Sequence, residues 1–211
     1  MSIPRYPAVI LAGGLATRMG GGDKSLRDLG GQPILSHVIE RLTPQVGSIA
    51  LNANGDAARF AELGLPVIAD SIEGFAGPLA GVLAALDWAA DQGAEALVSV
   101  AADTPFFPTD LVARLDAART ETGHPIAMAA SPDGGRKSGL GRHPTFGLWP
   151  VALRDDLRAA LTDGLRKVVL WTDRHGTATA LFETAGPDPF FNVNTPEDLE
   201  IARLRLSEAH S

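Results

Sequence analysis

Short apolar runs that alternate with helix-like segments constrain the fold of this chain more than any other feature. In the first half, the runs lie at residues 8–11, 48–52, 66–69 and 96–101. Helical spacing of apolar residues occurs at residues 34–42, 79–86 and 108–118. Continuous apolar runs of this length are typical of strands buried on both faces of a parallel sheet. The alternation predicts an α/β fold with three layers, α/β/α, around a mostly parallel central sheet.

The second half of the chain is less regular but keeps the same elements. We predict strands at residues 126–130, 145–149 and 178–182. We predict helices at residues 154–162 and 165–171, and a last helix that begins at Thr195-Pro196. Residues 131–142 are predicted as a Gly-rich polar loop. Because the 211 residues contain no evident linker or repeat, we expect a single domain over residues 1–211.

Polar residues or glycines follow the predicted strands of the first half. They are Gly13-Gly14 after the first strand, Asn52 and Asn54 at the second, Asp70 at the third and Asp103 at the fourth. In open α/β sheets, ligands bind beyond the carboxyl ends of the strands. The strand ends therefore predict one shared binding crevice.

A glycine-rich segment from Leu11 to Lys24 follows the first predicted strand directly. Its glycines allow backbone N–H groups to approach an anion closely, and Arg18 and Lys24 add positive charge. It is not a Walker A loop, because Asp23 rather than glycine precedes Lys24, and it lacks the spacing of a dinucleotide fingerprint. The segment predicts phosphate binding by a loop of another kind.

Composition excludes several classes of function. The formal net charge of −7 is unsuited to sequence-independent nucleic-acid binding, which needs a surplus of lysine and arginine. The absence of cysteine excludes disulfides, thiolate zinc sites and cysteine nucleophiles. No apolar stretch approaches the ~20 residues of a membrane span, so we expect a cytoplasmic protein with no membrane contact.

The sequence LAGGLATRMGGGDKSL resembles the signature of the GT-A-like nucleotidyltransferases, and most closely the molybdenum cofactor guanylyltransferases of the MobA type. Further matches to that family are NAN at 52–54, DS at 70–71, GPLAG at 77–81, DTP at 103–105, HPT at 143–145 and FNVNTPEDL at 191–199. Two departures are an additional glycine at Gly22 and a long loop at 131–142. The resemblance implies the Rossmann-like nucleotidyltransferase fold, with the nucleotide on the N-terminal half and molybdopterin on the C-terminal half.

The resemblance implies transfer of GMP from GTP to molybdenum-bound molybdopterin, with Mg²⁺ as cofactor and pyrophosphate as the second product. Asp103 would hold Mg²⁺, and Lys24 and Arg18 would act on the phosphates. The implied nucleotide-binding residues are Leu11, Ala12, Gly13, Lys24, Asn52, Asp70 and Asp103. The implied protein partners are molybdenum insertion proteins and the target molybdoenzymes or their chaperones.

The binding of the second substrate is a hypothesis about two groups of residues. Asn192 and Asn194 could contact the pterin or stabilise the turn into the last helix. The basic residues of the 131–142 loop form a candidate clamp for an anionic acceptor; they are Arg136, Lys137 and Arg142. His143 precedes a proline and is interpreted as structural or solvated, without a catalytic role.

From the residues alone, other roles and functions stay open. Asp103 could cap a turn before Pro105, Asn52 could form an Asx-turn, and Arg18 could be a surface residue. Within the same class, the acceptor could receive CMP instead of GMP, or the substrate could be a sugar phosphate. A nucleotide-binding module without catalysis is a third possibility, although it would not need Asp103 together with Lys24.

Overall fold

We describe the protein from a computed structural model, over residues 5–13, 23–72, 77–183 and 186–209. Strands and helices follow in the order β1 (Pro7–Leu11), β2 (Asp28–Leu29), β3 (Gln32–Pro33), α1 (Ile34–Leu42), β4 (Ser48–Asn52), β5 (Val67–Ile68), α2 (Pro78–Asp91), β6 (Ala96–Ala101), α3 (Leu111–Thr122), β7 (Ile126–Pro132), β8 (Leu140–Pro150), α4 (Arg154–Thr162), α5 (Val168–His175), β9 (Thr177–Leu181) and α6 (Pro196–Ala209). Short 3₁₀ turns include Lys24–Leu26 and Ala57–Leu63.

A seven-stranded sheet with the order β5-β4-β1-β6-β8-β7-β9 forms the centre of the described structure. Strand β1 pairs in parallel with both β4 and β6, and β7 pairs in parallel with β9. Strand β8 alone runs antiparallel to its neighbours β6 and β7. The predicted α/β fold with a mostly parallel sheet is therefore confirmed.

Apolar residues cover the sheet on both faces. The sequences of the strands are therefore continuous apolar runs. Successive side chains of a strand point to opposite faces, so Ile10 of β1 joins one core cluster and Val9 joins the other. Helices α1 and α3 pack over the first face, and α2, α4 and α5 over the second. A smaller cluster around Val193 and Ala202 places α6 beside β2 and α1.

The structure corrects the predicted loop at residues 131–142. Strand β7 runs to Pro132 and β8 begins at Leu140, so the segment is the end of a β-hairpin with a turn at 133–139. Strand β8 is also longer than the predicted strand at 145–149, because His143 and Pro144 lie within it. The polar residues of this hairpin end are exposed and lack the apolar pattern from which strands are predicted.

Two helix boundaries also differ from the prediction. Helix α3 begins at Leu111 instead of residue 108, and α5 covers Val168–His175 instead of 165–171. The last helix begins at Pro196 as predicted, with the Thr195 hydroxyl accepting from the backbone N–H of Asp198 at 3.2 Å. None of the helices in the described ranges is both long and apolar enough to cross a membrane.

Candidate functional site

Three strand ends meet at the predicted crevice because their strands pair in parallel and in register. Leu11 is the register partner of Asn52 on one side and of Ala101 on the other. The pairing continues past the strands: the Ala12 N–H donates to the Asn52 carbonyl at 2.9 Å, and the Ala102 N–H donates to the Leu11 carbonyl at 3.1 Å. The sheet thereby places Asn52 and the loop that carries Asp103 on either side of the carboxyl end of β1, which we call the β1 exit.

Lys24 and Asp103 are in direct contact at this crevice, although 79 residues separate them in the chain. The Lys24 ammonium donates to Asp103 Oδ2 at 2.5 Å and to Asn194 Oδ1 at 2.6 Å. Asp23 fixes the start of the turn that carries Lys24, since its carboxylate accepts from the backbone N–H and the hydroxyl of Ser25. A cation, a carboxylate and an amide oxygen thus converge from three separate segments.

The loop that carries Asp103 is fixed by its neighbours. The backbone N–H of Val193 donates to the Asp103 carbonyl at 2.8 Å. The buried hydroxyl of Thr104 lies 3.2 Å from Asp103 Oδ1 and 2.5 Å from Asn192 Oδ1. Arg41, whose pKa is lowered by burial, donates to the Pro105 carbonyl at 3.3 Å. The carboxylate is therefore presented on a loop with little freedom to move.

Asn52, Asn54 and Asp70 form a second polar cluster beside the β1 exit. The Asn52 amide is buried and donates to Asp70 Oδ1 at 3.0 Å and to the Ile68 carbonyl at 3.2 Å. Asn54 donates to Asp70 Oδ2 at 2.8 Å and accepts from the Asp70 backbone N–H at 2.9 Å. Both oxygens of the Asp70 carboxylate are thus held by amides, which fixes the orientation of all three side chains.

Gly81 in α2 explains how the Asn52 side chain fits against the helix. A Cβ atom at this position would lie 2.2 Å from Asn52 Oδ1 and 2.9 Å from Leu11 Cδ2. Only a residue without a side chain permits this close approach of helix and strand. The glycine at the end of the GPLAG segment therefore has a packing role that the sequence analysis did not assign.

Arg59 is a second site residue that the sequence analysis did not identify. Its guanidinium donates to the Asn54 carbonyl at 2.7 Å, and its Nε lies 3.5 Å from Asp23 Oδ2. It thereby connects the segment before Lys24 to the Asn54–Asp70 cluster. Arg59 lies in a 3₁₀ turn outside every matched motif, so no sequence signal pointed to it.

A cavity of about 630 Å³ lies between the β7–β8 hairpin and residues 186–192. Its lining includes the predicted residues Arg136, Arg142 and Asn192, whereas Lys137 is exposed in the hairpin turn and is not among the lining residues. Asp188, which the sequence analysis did not identify, also lines the cavity. Arg136 pairs with Asp133 at 2.9 Å. Arg142 pairs with Asp173 at 2.7 Å.

His143 forms part of the cavity wall. Its ring stacks on Phe190 with centroids 4.1 Å apart, and its Nε2 shares a hydrogen bond of 2.8 Å with Ser131 Oγ. Burial lowers the pKa of His143, which favours the neutral imidazole. The ring thus offers the cavity a flat, uncharged surface.

The predicted site residues fall into two groups, one at the β1 exit and one around the cavity. Leu11, Ala12 and Gly13 lie at the β1 exit beside Asn52 and Asp70, and Lys24 contacts both Asp103 and Asn194. Asn192, Arg136 and Arg142 face the cavity. Arg18 lies outside the described residues. Among the residues that the structure describes, no three acidic or histidine side chains gather into a ready-made metal cage.

Comparisons with known proteins identify the family of the chain. Residues 8–177 match the family model of the MobA-like NTP transferase domain. A molybdenum cofactor guanylyltransferase from Bradyrhizobium sp. (strain ORS 278) is 53% identical over 206 residues, covering 96% of this chain and 94% of the relative. One of the same name from Rhodopseudomonas palustris (strain HaA2) is 55% identical over 199 residues, covering 93% and 90%.

Solved structures share the fold at lower identity. A molybdopterin-guanine dinucleotide biosynthesis protein A from Archaeoglobus fulgidus superimposes with a TM-score of 0.72 at 21% identity, covering 96% of this chain and 100% of that one. A CMP:2-keto-3-deoxy-manno-octonic acid synthetase superimposes with a TM-score of 0.73 at 16% identity, covering 98% and 100%. At such identities the likeness concerns the fold alone. The family model and the relatives above 50% identity show that the chain belongs to the MobA-like NTP transferases, in the group of the molybdenum cofactor guanylyltransferases.

Proposed function

We propose that this chain transfers GMP from GTP to molybdenum-bound molybdopterin, forming the molybdenum guanine dinucleotide cofactor and pyrophosphate. The observation that carries the proposal is the contact of Lys24 with Asp103 and Asn194. It lies at the strand ends of a fold whose relatives at 53% identity bear the corresponding name. Nucleotidyl transfer needs positioned cationic and metal-binding groups rather than a covalent nucleophile, and this contact supplies both kinds.

The nucleotide would lie on the N-terminal half of a single domain, across the β1 exit. Leu11, Ala12 and Gly13 would contribute mainly backbone groups, as expected for a segment that leads into a glycine-rich loop. Asn52 and Asp70 would contact the base or the ribose. Their mutual hydrogen bonds support this assignment, because they hold the Asn52 amide oxygen and the Asp70 carboxylate, which are both acceptors, in fixed directions before a ligand arrives.

We propose that Asp103 would hold a divalent cation and that this cation is Mg²⁺. The residues present fit this ion, since Mg²⁺ prefers oxygen ligands and takes one or two carboxylates together with waters and substrate phosphates. Asn194 Oδ1 lies beside the same ammonium group that contacts Asp103 and could complete the oxygen set. When bound, the ion would neutralise charge on the phosphates of GTP.

In the reaction, a terminal phosphate oxygen of molybdopterin forms a bond to the α-phosphorus of GTP. The bond from that phosphorus to the bridging oxygen breaks in line, and pyrophosphate leaves with its electron pair. The Lys24 ammonium would break its contact with Asp103 and bind the phosphates of GTP. There it would balance the negative charge that develops on the leaving pyrophosphate. Arg18 is proposed as a second phosphate partner from the glycine-rich segment.

The acceptor would lie on the C-terminal half, in the cavity beside Asp103. Its volume suits a heterocycle of the size of a pterin, and the His143 ring, which stacks on the buried Phe190, provides a flat wall. Arg136 and Arg142 would meet the anionic part of the acceptor, with Lys137 in the adjoining turn. Asn192 lines this cavity and contacts Thr104, the residue after Asp103, and Asn194 contacts Lys24.

The test is to incubate the protein with Mg²⁺, molybdenum-bound molybdopterin and each nucleoside triphosphate in turn, and to measure pyrophosphate release. We expect release with GTP and little with CTP. Release with CTP but not GTP would replace the proposal with cytidylyl transfer. Release from GTP with a sugar phosphate but not with molybdopterin would remove the proposed acceptor.

A further inference from the structure

The hydroxyl of Thr104 connects the Asp103 carboxylate to the cavity proposed for the acceptor. Thr104 is fully buried directly after Asp103, and its Oγ1 lies 2.5 Å from Asn192 Oδ1 and 3.2 Å from Asp103 Oδ1. The Val193 N–H also donates to the Asp103 carbonyl at 2.8 Å. Two hydrogen bonds therefore hold residues 192–193 against residues 103–104.

The contact with Thr104 sets the direction of the Asn192 amide. A hydroxyl has one proton to donate, and the shorter of its two contacts is with Asn192 Oδ1. Because that oxygen accepts from a buried group, the other end of the amide, Nδ2, is directed away from Thr104. Asn192 is exposed and lines the cavity, and no described residue accepts a hydrogen bond from its Nδ2.

The two cationic donors of the cavity are partly engaged with carboxylates. Arg136 pairs with Asp133 and Arg142 with Asp173, each through one nitrogen. Asp188 adds a second carboxylate to the cavity lining beside Asp133. The arginines are thus held in part by carboxylates, whereas no described residue accepts a hydrogen bond from the Asn192 Nδ2.

We propose that Thr104 is a positioning residue for the acceptor: it fixes the Asn192 amide so that Nδ2 donates to an oxygen of the acceptor's phosphate monoester. The inference deepens the proposed function and depends on it. The phosphate is the relevant part of the acceptor because Asn192 lines the cavity and also contacts the residue directly after Asp103, and the attacking oxygen must approach that carboxylate. A neutral donor suits this oxygen, since it orients the phosphate without withdrawing the charge that makes it a nucleophile.

The experiment compares Thr104→Val, Thr104→Ser, Asn192→Ala and the double variant Thr104→Val with Asn192→Ala. The Michaelis constants for acceptor and for GTP are measured in the pyrophosphate assay. We expect Thr104→Val to raise the acceptor KM about tenfold, the typical effect of one hydrogen bond, with the GTP KM within about twofold. Thr104→Ser keeps the hydroxyl and should restore the acceptor KM. The double variant should equal Asn192→Ala, because both changes remove the same contact.

Several results would overturn the inference. One is an unchanged acceptor KM in Asn192→Ala, which alters an exposed residue and tests the claim even if the buried Thr104→Val variant is unstable. Another is an equal rise of both Michaelis constants in Thr104→Val, and a third is simple additivity in the double variant. An inactive wild-type protein would instead contradict the proposed function, so the two failures are distinguishable.

Discussion

The two sides of the crevice differ in how firmly their polar side chains are held. On the nucleotide side, Asn52 is 3% exposed and bonded to Asp70; Asn52 ends β4 and Asp70 follows β5, and these two strands pair in register. On the acceptor side, the Arg136 side chain is 61% exposed and bonded within its own hairpin turn. The Asn52–Asp70 cluster is thus ordered without a ligand, whereas the arginines of the acceptor side are held only by exposed ion pairs.

This difference indicates which side selects the base of the nucleotide and which side adapts to its ligand. A buried amide held in a fixed direction rejects a ligand that does not match it, so Asn52 suits discrimination between bases. Exposed arginines in ion pairs contribute little each and adapt to the ligand. We therefore expect substitutions at the Asp103 contact and on the nucleotide side to have larger effects than those at the hairpin, and the following variants test that order.

Asp103→Ala should have the largest effect. Removing the carboxylate removes the proposed metal ligand and the partner of Lys24, so we expect kcat to fall about a thousandfold. Some GTP binding should persist, because the Asn52–Asp70 cluster does not depend on Asp103. Turnover is measured by pyrophosphate release and binding by calorimetry. Full activity in this variant would remove the metal assignment.

Lys24→Met should lower kcat about a hundredfold, because charge on the leaving phosphates loses its ammonium partner. The matched control is Lys167→Met, which removes an exposed lysine next to α5 and should leave kcat unchanged. The same pyrophosphate assay measures both variants. Equal effects of the two substitutions would indicate a general response to lost charge instead of a role for Lys24.

Gly81→Ala should raise the GTP KM about tenfold, because a Cβ at this position displaces the Asn52 amide or the Leu11 side chain. Gly134→Ala is the control, since a Cβ there meets nothing within 4 Å. Initial rates at varied GTP measure the effect. A GTP KM that stays at the wild-type value would show that the Asn52 position is not important for nucleotide binding.

Replacing Arg136, Lys137 and Arg142 together by glutamine should have the smallest effect. We expect the acceptor KM to rise about threefold and the GTP KM to stay constant, because the two arginines are exposed and already paired with aspartates. Initial rates at varied acceptor measure the change. An acceptor KM that is identical to the wild-type value would remove the proposed basic clamp.

The contrast between the nucleotide side and the acceptor side also explains how much of the site the sequence could predict. The exits of β1, β4 and β6 were predictable, because parallel strands of a β-α-β order end at one edge and each end carried a polar residue or a glycine. This part of the site depends on strand order, which apolar patterns encode well. Lys24, Asp103 and Asn194 all lie in the matched motifs, but the contacts of Lys24 with the other two were not predicted.

The acceptor side was less predictable because its contacts come from solvent-exposed residues without a pattern. The hairpin end of β7 and β8 carries polar side chains and glycines, so residues 131–142 resembled a loop. Asp173 pairs with Arg142 from α5, 31 residues away, and no motif joins them. Arg59 was not predicted either, because it contacts Asp23 and Asn54 from a turn that lies outside the motifs.

The central claim is that the nucleotide side is formed independently of the acceptor. Calorimetric titration of GTP into the wild-type protein, with Mg²⁺ and without any acceptor, tests it most directly, with CTP as the comparison. We predict one GTP site per chain and binding of CTP at least about tenfold weaker. A protein that binds GTP only after the acceptor has been added, or that binds both nucleotides equally, would contradict this account.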